Sequence, residues 1–189
     1  MSLKEKRPAL VLIDIQNGMA GDDAHWGGKR NNPDAEQQAA RILAQWRALE
    51  LPVFHVQHSS KDPNSMLHRS HPGFALQEIT RPVKGEPLIV KEVNSAFIET
   101  DLKEQLDKEG IHTLVIVGLT TNHCVSTTTR MAGNFGYDTF LISDATATYD
   151  RIGINGETYD AETIHLTALA NLKDEFATIL TTDSLLDSL

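Results

Sequence analysis

Val115-Ile116-Val117-Gly118-Leu119-Thr120-Thr121-Asn122-His123-Cys124-Val125-Ser126-Thr127-Thr128 is the stretch on which the reading of this chain turns. An apolar, β-branched run ends at Gly118, small polar residues follow, and a segment that reads as a helix, Thr127 to Phe135, comes next. The pattern is strand, tight turn, helix. Cys124, the single cysteine of the chain, stands at the helix mouth. The first turn of a helix carries unpaired N–H groups and a partial positive charge. Both favour a thiolate, which is the nucleophilic form. A free cysteine is also among the most buried residue types, so a small core hydrophobe is the competing reading.

The chain has 189 residues, enough for one domain, residues 1–189, with a sizeable core. Its net charge is −9 and no long basic run stands out, which argues against nucleic acid or an anionic membrane as partner. One cysteine excludes an internal disulfide framework and fits a reducing compartment. Met1 to Pro8 holds three basic residues, but the apolar run after it is cut at Asp14, too short for a signal-peptide core or a membrane span. The expectation is a cytoplasmic soluble protein.

Ala9 to Ile13 is a continuous apolar run ending in Asp14, as suits a strand buried on both faces of a parallel sheet. Residues 16–33 read as a loop. Pro33-Asp34 opens a helix to about Leu49, with Ala40, Ile42, Leu43, Trp46 and Leu49 as its apolar stripe. Val53 to Gln57 is a second strand. Residues 58–87 carry turn signals throughout, and so long a loop is usually functional or a lid. Leu88 to Val90 is a third strand, ending in Lys91, followed by a helix from Thr100 to Glu109 that Gly110 caps. Strands four, five and six fall at Thr113 to Val117, Thr139 to Ile142 and Phe176 to Leu180. Residues 145–157 read as a polar loop, and Ala161 to Lys173 as a helix. Alternation of strands and helices predicts an α/β fold, with a parallel sheet, right-handed crossovers and helices on both faces.

Asp14, Lys91 and Cys124 each sit at or just past the carboxyl end of an expected strand, the edge where open α/β sheets bind ligands. Each has a plain alternative: a turn residue, a solvated lysine, a core thiol. Together they make coherent chemistry. Asp14 would take the thiol proton, Lys91 would hold the resulting anions, and N–H groups of the turn from Leu119 to Cys124 would receive an oxyanion. Such a set attacks a carbonyl, forms a thioester and releases an amine. His123 is the obvious rival base. Neighbours at a helix start point about 100° apart, however, so it reads as a pocket or interface residue.

Eight histidines raise the question of a metal. His55 and His58 would face opposite sides of a strand, His68 and His71 lie in a loop, and Asp23-Ala24-His25 is isolated. No ligand set is evident by spacing, so no metal is expected.

The residues resemble a known family, the isochorismatase-like cysteine hydrolases, whose members include nicotinamidases and N-carbamoylsarcosine amidohydrolase. The resemblance rests on Leu12-Ile13-Asp14-Ile15-Gln16, on Lys91 with Ser95-Ala96-Phe97, and on Gly118-Leu119-Thr120-Thr121-Asn122-His123-Cys124-Val125. Thr129-Arg130-Met131-Ala132, Gly136-Tyr137 and Ser143-Asp144-Ala145 continue it, so it spans about residues 9 to 185. It implies a three-layer α/β/α fold with a six-stranded parallel sheet, a triad of Asp14, Lys91 and Cys124, and a non-proline cis peptide at Leu119–Thr120. The N–H groups of Thr120 and Cys124 would form the oxyanion hole. The family is commonly oligomeric, which implies a homodimer or homotetramer.

The sequence departs from the metal-dependent nicotinamidases: Gln57-His58-Ser59-Ser60-Lys61-Asp62 lacks their ligand pattern, so nicotinamide is not favoured. Isochorismatases that cleave a vinyl ether are not understood to use a cysteine, so Cys124 points instead to a C–N bond. Gln16, Trp26, His58, Phe97, His123 and Tyr159 are the expected substrate contacts. The sequence thus predicts a cysteine amidohydrolase acting on a small amide or ureido compound without organic cofactor. The alternatives are vinyl-ether hydrolysis with Asp14 as the acid–base group, and a non-catalytic metabolite-binding or thiol-redox protein.

Overall fold

The computed structural model describes residues 2–21, 23 and 25–189. Met1, Asp22 and Ala24, which fall in the N-terminal stretch and the first loop read above, lie outside them. Six strands form one parallel sheet: β1 (Ala9–Ile13), β2 (Val53–His58), β3 (Leu88–Lys91), β4 (Thr113–Leu119), β5 (Asp138–Ala147) and β8 (Thr178–Leu180). Their order across the sheet is β3-β2-β1-β4-β5-β8. The chain thus builds outward from β1 to one edge, then returns to the other side of β1. The gap between the carboxyl ends of β1 and β4 is the switch point at which such sheets hold ligands.

Every residue of β1 and β4 is buried, which is why their sequences are unbroken apolar runs. Successive side chains go to opposite faces. Ala9, Val11 and Ile13 pack with Ile116 and Leu141 against α2 (Leu102–Lys108), α3 (Ser126–Asn134) and α4 (Ala161–Leu172), through Leu106, Ala132 and Leu169. Leu10 and Leu12 pack with Val115 and Val117 against α1 (Ala35–Ala48) and α5 (Thr182–Asp187), through Ile42, Trp46 and Leu185. The result is three layers. No helix among the described residues is long and apolar enough to cross a membrane.

Two regions differ from the sequence expectation. The fifth strand does not stop at Ile142; its register jumps between Ile116↔Leu141 and Gly118↔Thr146, and it continues to Ala147. Ser143 and Asp144 interrupt the apolar run at this bulge because their side chains serve the next segment. Ser143 Oγ donates to the Leu180 carbonyl at 3.1 Å, and Asp144 Oδ1 accepts from the Thr182 N–H at 2.8 Å. That contact sets the start of α5, a helix beyond the last expected strand. Residues 145–157 are likewise not all loop: β6 (Arg151–Ile152) and β7 (Thr158–Tyr159) pair as a short antiparallel hairpin.

At the opposite end of the sheet a charged clasp ties the end of the long 59–87 segment to α1. Arg47 donates from Nε and Nη2 to both oxygens of Glu86 at 2.7 and 2.8 Å, His55 Nε2 lies 2.7 Å from Glu86 Oε2, and the Val83 N–H donates to Oε2 at 3.0 Å. Burial alone would raise the Glu86 pKa. Arg47, the Val83 N–H and His55 outweigh it and hold the carboxyl at about 2. Because this lies below the ordinary 4.5, the contribution is complete above pH 4.5 and is lost as pH falls toward 2. Glu86→Gln is expected to cost about 1–2 kcal/mol at pH 7, after allowance for solvent screening at partly exposed Arg47. Urea denaturation at pH 7 and pH 3 checks this: the gap between wild type and variant narrows at the lower pH.

Candidate active site

The three strand-end residues meet. Asp14 follows β1 and Lys91 ends β3; both are 1 % exposed. Lys91 Nζ donates to Asp14 Oδ2 at 2.6 Å, crossing the end of β2, where its Nζ is also 3.1 Å from His58 Nδ1. The Cys124 Sγ, an Asp14 carboxylate oxygen and a ring nitrogen of His58 all lie within 4.8 Å of one another. Asp14 Oδ1 is buried and has no hydrogen-bond partner. Asp14 itself has φ +51°, a left-handed conformation that Asp and Asn accept more readily than other side chains. Gly118, with φ +122°, pairs with Ile13, and a Cβ there would collide with the Ile13 carbonyl oxygen. Glycine at this position lets β4 run close beside β1, and so brings the cysteine turn to Asp14.

The turn differs from the simple helix start of the sequence reading. The Leu119–Thr120 peptide is cis, and Thr121–Val125 forms a π-helical turn that runs into α3. Cys124 is inside this turn and half-buried. The helix mouth does not make it a resting thiolate. Burial, and then the charge of Asp14, push the thiol well above the ordinary range, with Lys91 opposing them. Burial works against the Lys91 ammonium, but Asp14 outweighs it and the lysine pKa is raised. His58 is shifted down by burial and by Lys91. The group at rest is therefore a thiol beside a lysine ammonium, with a neutral imidazole on the other flank.

The site opens into a cleft of about 270 Å³ lined by Asp14, Thr120 and Cys124 at its floor, and by Met19, Trp26, Leu67 and His123 among its walls. Of the expected substrate contacts, Trp26, His58 and His123 line this cleft, and three do not. Gln16 is wholly buried as a clamp: its Oε1 accepts from the His58 N–H, and its Nε2 donates to the carbonyls of His58 and Phe74. Phe97 is in the core, stacked on Tyr137 and edge-on to Phe135. Tyr159 is on the hairpin, 42 % exposed, with its hydroxyl donating to Glu157.

The sequence reading passed over Asn94, whose Oδ1 is 3.9 Å from Cys124 Sγ, and weighed His25, which lines the cleft and packs edge-on to Trp26, only as a metal ligand. It also passed over Ser60, Ser65 and Leu67 as individuals, though the length of their loop had marked it as functional. Asp14, His58 and Cys124 are the one set of three metal-type ligands brought together among the described residues. The Lys91 ammonium already sits in contact with two of them, so a cation at this point would have to displace a buried positive charge. Of the other histidines, His55 is taken by Glu86, His68 by Ser70, and His71 accepts from the Gly73 N–H.

A parallel sheet with a thiol, a carboxylate and a lysine gathered at its switch point defines the class of this protein as an α/β enzyme. The Isochorismatase domain matches residues 8–184. The uncharacterized isochorismatase family protein YrdC of Bacillus subtilis is 51% identical over 183 residues, covering 97% of this chain and 96% of that one. Nicotinamidase 3 of Arabidopsis thaliana is 31% identical, covering 97% and 89%. A crystallised isochorismatase-family protein of Chromobacterium violaceum superposes with a TM-score of 0.93 at 38% identity, covering 100% and 96%. The chain belongs to the isochorismatase family of hydrolases.

Proposed function

We propose that this hydrolase is a cysteine amidohydrolase that cleaves the C–N bond of a small amide or ureido substrate. The observation that carries the reading is the division of labour on one carboxylate: Lys91 occupies Asp14 Oδ2, Oδ1 is left unpartnered, and a carboxylate oxygen of Asp14 lies within 4.8 Å of the Cys124 Sγ. As the Cys124 sulfur attacks the carbonyl carbon, its proton passes to Asp14 Oδ1. The oxyanion develops toward the N–H groups of Thr120 and Cys124. Asp14 returns the proton to the departing nitrogen, and the C–N bond breaks to leave a thioester. Water then attacks this thioester while giving a proton to Asp14. Collapse frees the carboxylic acid and restores the thiol. Lys91 keeps Asp14 oriented and balances the negative charge that moves between sulfur and oxygen.

A high thiol pKa suits this scheme, because the base acts on the thiol during attack rather than before it. It also disfavours the thiol-redox reading, since reactivity toward oxidants follows thiolate character. The test is ammonia release from a panel of small primary amides and ureido compounds, with intact-mass detection of an acyl group on Cys124 after rapid quenching. Ammonia release together with an acyl adduct on Cys124 is expected. Isochorismate turnover that survives Cys124→Ala, with no amide cleaved, overturns the proposal in favour of ether hydrolysis.

A further inference from the structure

The β6–β7 hairpin sets a cation against two residues of the cleft lining. Arg151, in β6, is partly buried. Its Nη1 donates to the Trp26 carbonyl at 3.1 Å and its Nη2 lies 3.4 Å from His123 Nδ1, so one guanidinium spans two residues that line the cleft. Its Nε is buried without a partner. The nearby acids are engaged elsewhere: Asp150 accepts from the Ala161 N–H at the start of α4, and Glu157 from the Asn155 N–H and the Tyr159 hydroxyl. No carboxylate is in ion-pair contact with Arg151 among the described residues.

A guanidinium has five donors, no acceptor, and keeps its charge at all ordinary pH. Its contact with His123 Nδ1 is therefore a hydrogen bond only if that nitrogen is the acceptor. The neutral ring then carries its hydrogen on Nε2. We propose that Arg151 is a positioning residue of the cleft, which fixes His123 as the Nε2–H tautomer and, with its own unpaired charge behind that donor, selects substrates bearing an anionic oxygen remote from the scissile carbonyl. Partial burial and the Arg151 charge both push the His123 pKa down, which keeps the ring neutral as the arrangement requires. Of the other charges facing the cleft, Asp14 is matched by Lys91, and Asp62, the remaining acid of the lining, lies on the 59–87 segment, so the anionic oxygen is expected on the Trp26–His123 side.

The preference for an anionic substrate rests on the amidohydrolase reading; the tautomer does not, and the experiment separates them. Long-range ¹H–¹⁵N spectra of the histidine rings at pH 7.5 are recorded for wild type, Arg151→Met and Arg151→Lys. Wild-type His123 is expected as the Nε2–H form. Succinate, a non-hydrolysable dicarboxylate, is expected to shift its Nε2 resonance. Arg151→Met is expected to mix the tautomers and abolish the succinate response, while Arg151→Lys, which keeps a charged donor, retains part of both. A wild-type Nδ1–H form, or a spectrum and succinate response unchanged in Arg151→Met, overturns the proposal whether or not any amide is cleaved. In turnover, the KM for succinamate is expected to be lower than that for neutral succinamide by about tenfold, as for one charge-assisted hydrogen bond. Arg151→Met should remove that ratio through KM rather than kcat. Equal KM values in wild type overturn the selection of anionic substrates.

Discussion

Cys124→Ala is expected to abolish amide turnover, a loss of ~10⁴-fold or more, because the chain has no second thiol and the residues of such a unit do not substitute for one another. Asp14→Asn should lower kcat by about 10²–10⁴-fold, the usual worth of a positioned acid–base group. The same change should move thiol reactivity the other way. Burial and the Asp14 charge hold the thiol up, so removing that charge lowers its pKa and speeds iodoacetamide alkylation at a fixed pH. Asn is the informative replacement because it tolerates the left-handed φ of position 14 and keeps the side-chain size. Misfolding would also speed alkylation by exposing the thiol, so the comparison is made on a variant whose far-UV circular dichroism and cooperative urea transition match wild type. If alkylation in Asp14→Asn is no faster than in wild type, Asp14 does not govern the thiol. With one cysteine in the chain, the alkylation signal has a single source.

Lys91→Met is expected to lose about 3–5 kcal/mol of stability as well as activity. The ammonium and the Asp14 carboxylate are both fully enclosed, and deleting one leaves the other as a buried, unpaired charge. His58 Nδ1 loses its donor at the same time. The double variant Asp14→Asn/Lys91→Met removes both charges and should recover most of the stability, since neutral groups of similar volume bear burial well. It should remain inactive. Chemical denaturation of the four proteins, read as a double-mutant cycle, measures the coupling. A single variant as stable as wild type would mean that the pair contributes nothing to the fold.

The sheet was legible in the sequence because each central strand is an unbroken apolar run, and the helices between strands carry their own stripes. The meeting of Asp14, Lys91 and Cys124 was legible because strand ends are few and polar residues there are conspicuous: Asp14 cuts its apolar run, Lys91 ends another, and Cys124 follows the Gly118 turn. Strand order was not legible from periodicity, and with it went the reason Asp14 and Cys124 are neighbours, namely that β1 and β4 flank the switch point. The continuation of β5 was hidden because Ser143 and Asp144 are polar for the sake of α5. Choosing among the aromatic residues also lay beyond a one-dimensional reading. Phe97 and Trp26 are both large and near site residues in sequence, but Phe97 turns into the core against Tyr137, whereas Trp26 is held at the cleft by a hydrogen bond from its Nε1 to the Gly18 carbonyl. Arg151 gave no signal at all, because its meaning depends on its having no carboxylate in ion-pair contact among the described residues, which only three dimensions reveal.

Because β1 takes β2 on one edge and β4 on the other, the chain leaves the ribosome with its most apolar strand half paired. The β2 edge is closed as soon as His58 has emerged, but the other waits for Leu119. At ~5–20 residues per second, the intervening roughly 60 residues keep that open edge waiting for about 3–12 s. Throughout that time a nascent chain presents unpaired backbone groups on an apolar strand, the kind of surface that recruits other strands or chaperones. Cys124 arrives only as this gap closes, so the strand that covers the second edge of β1 also brings the thiol to Asp14, and a chain stalled before residue 119 is sticky and lacks its site.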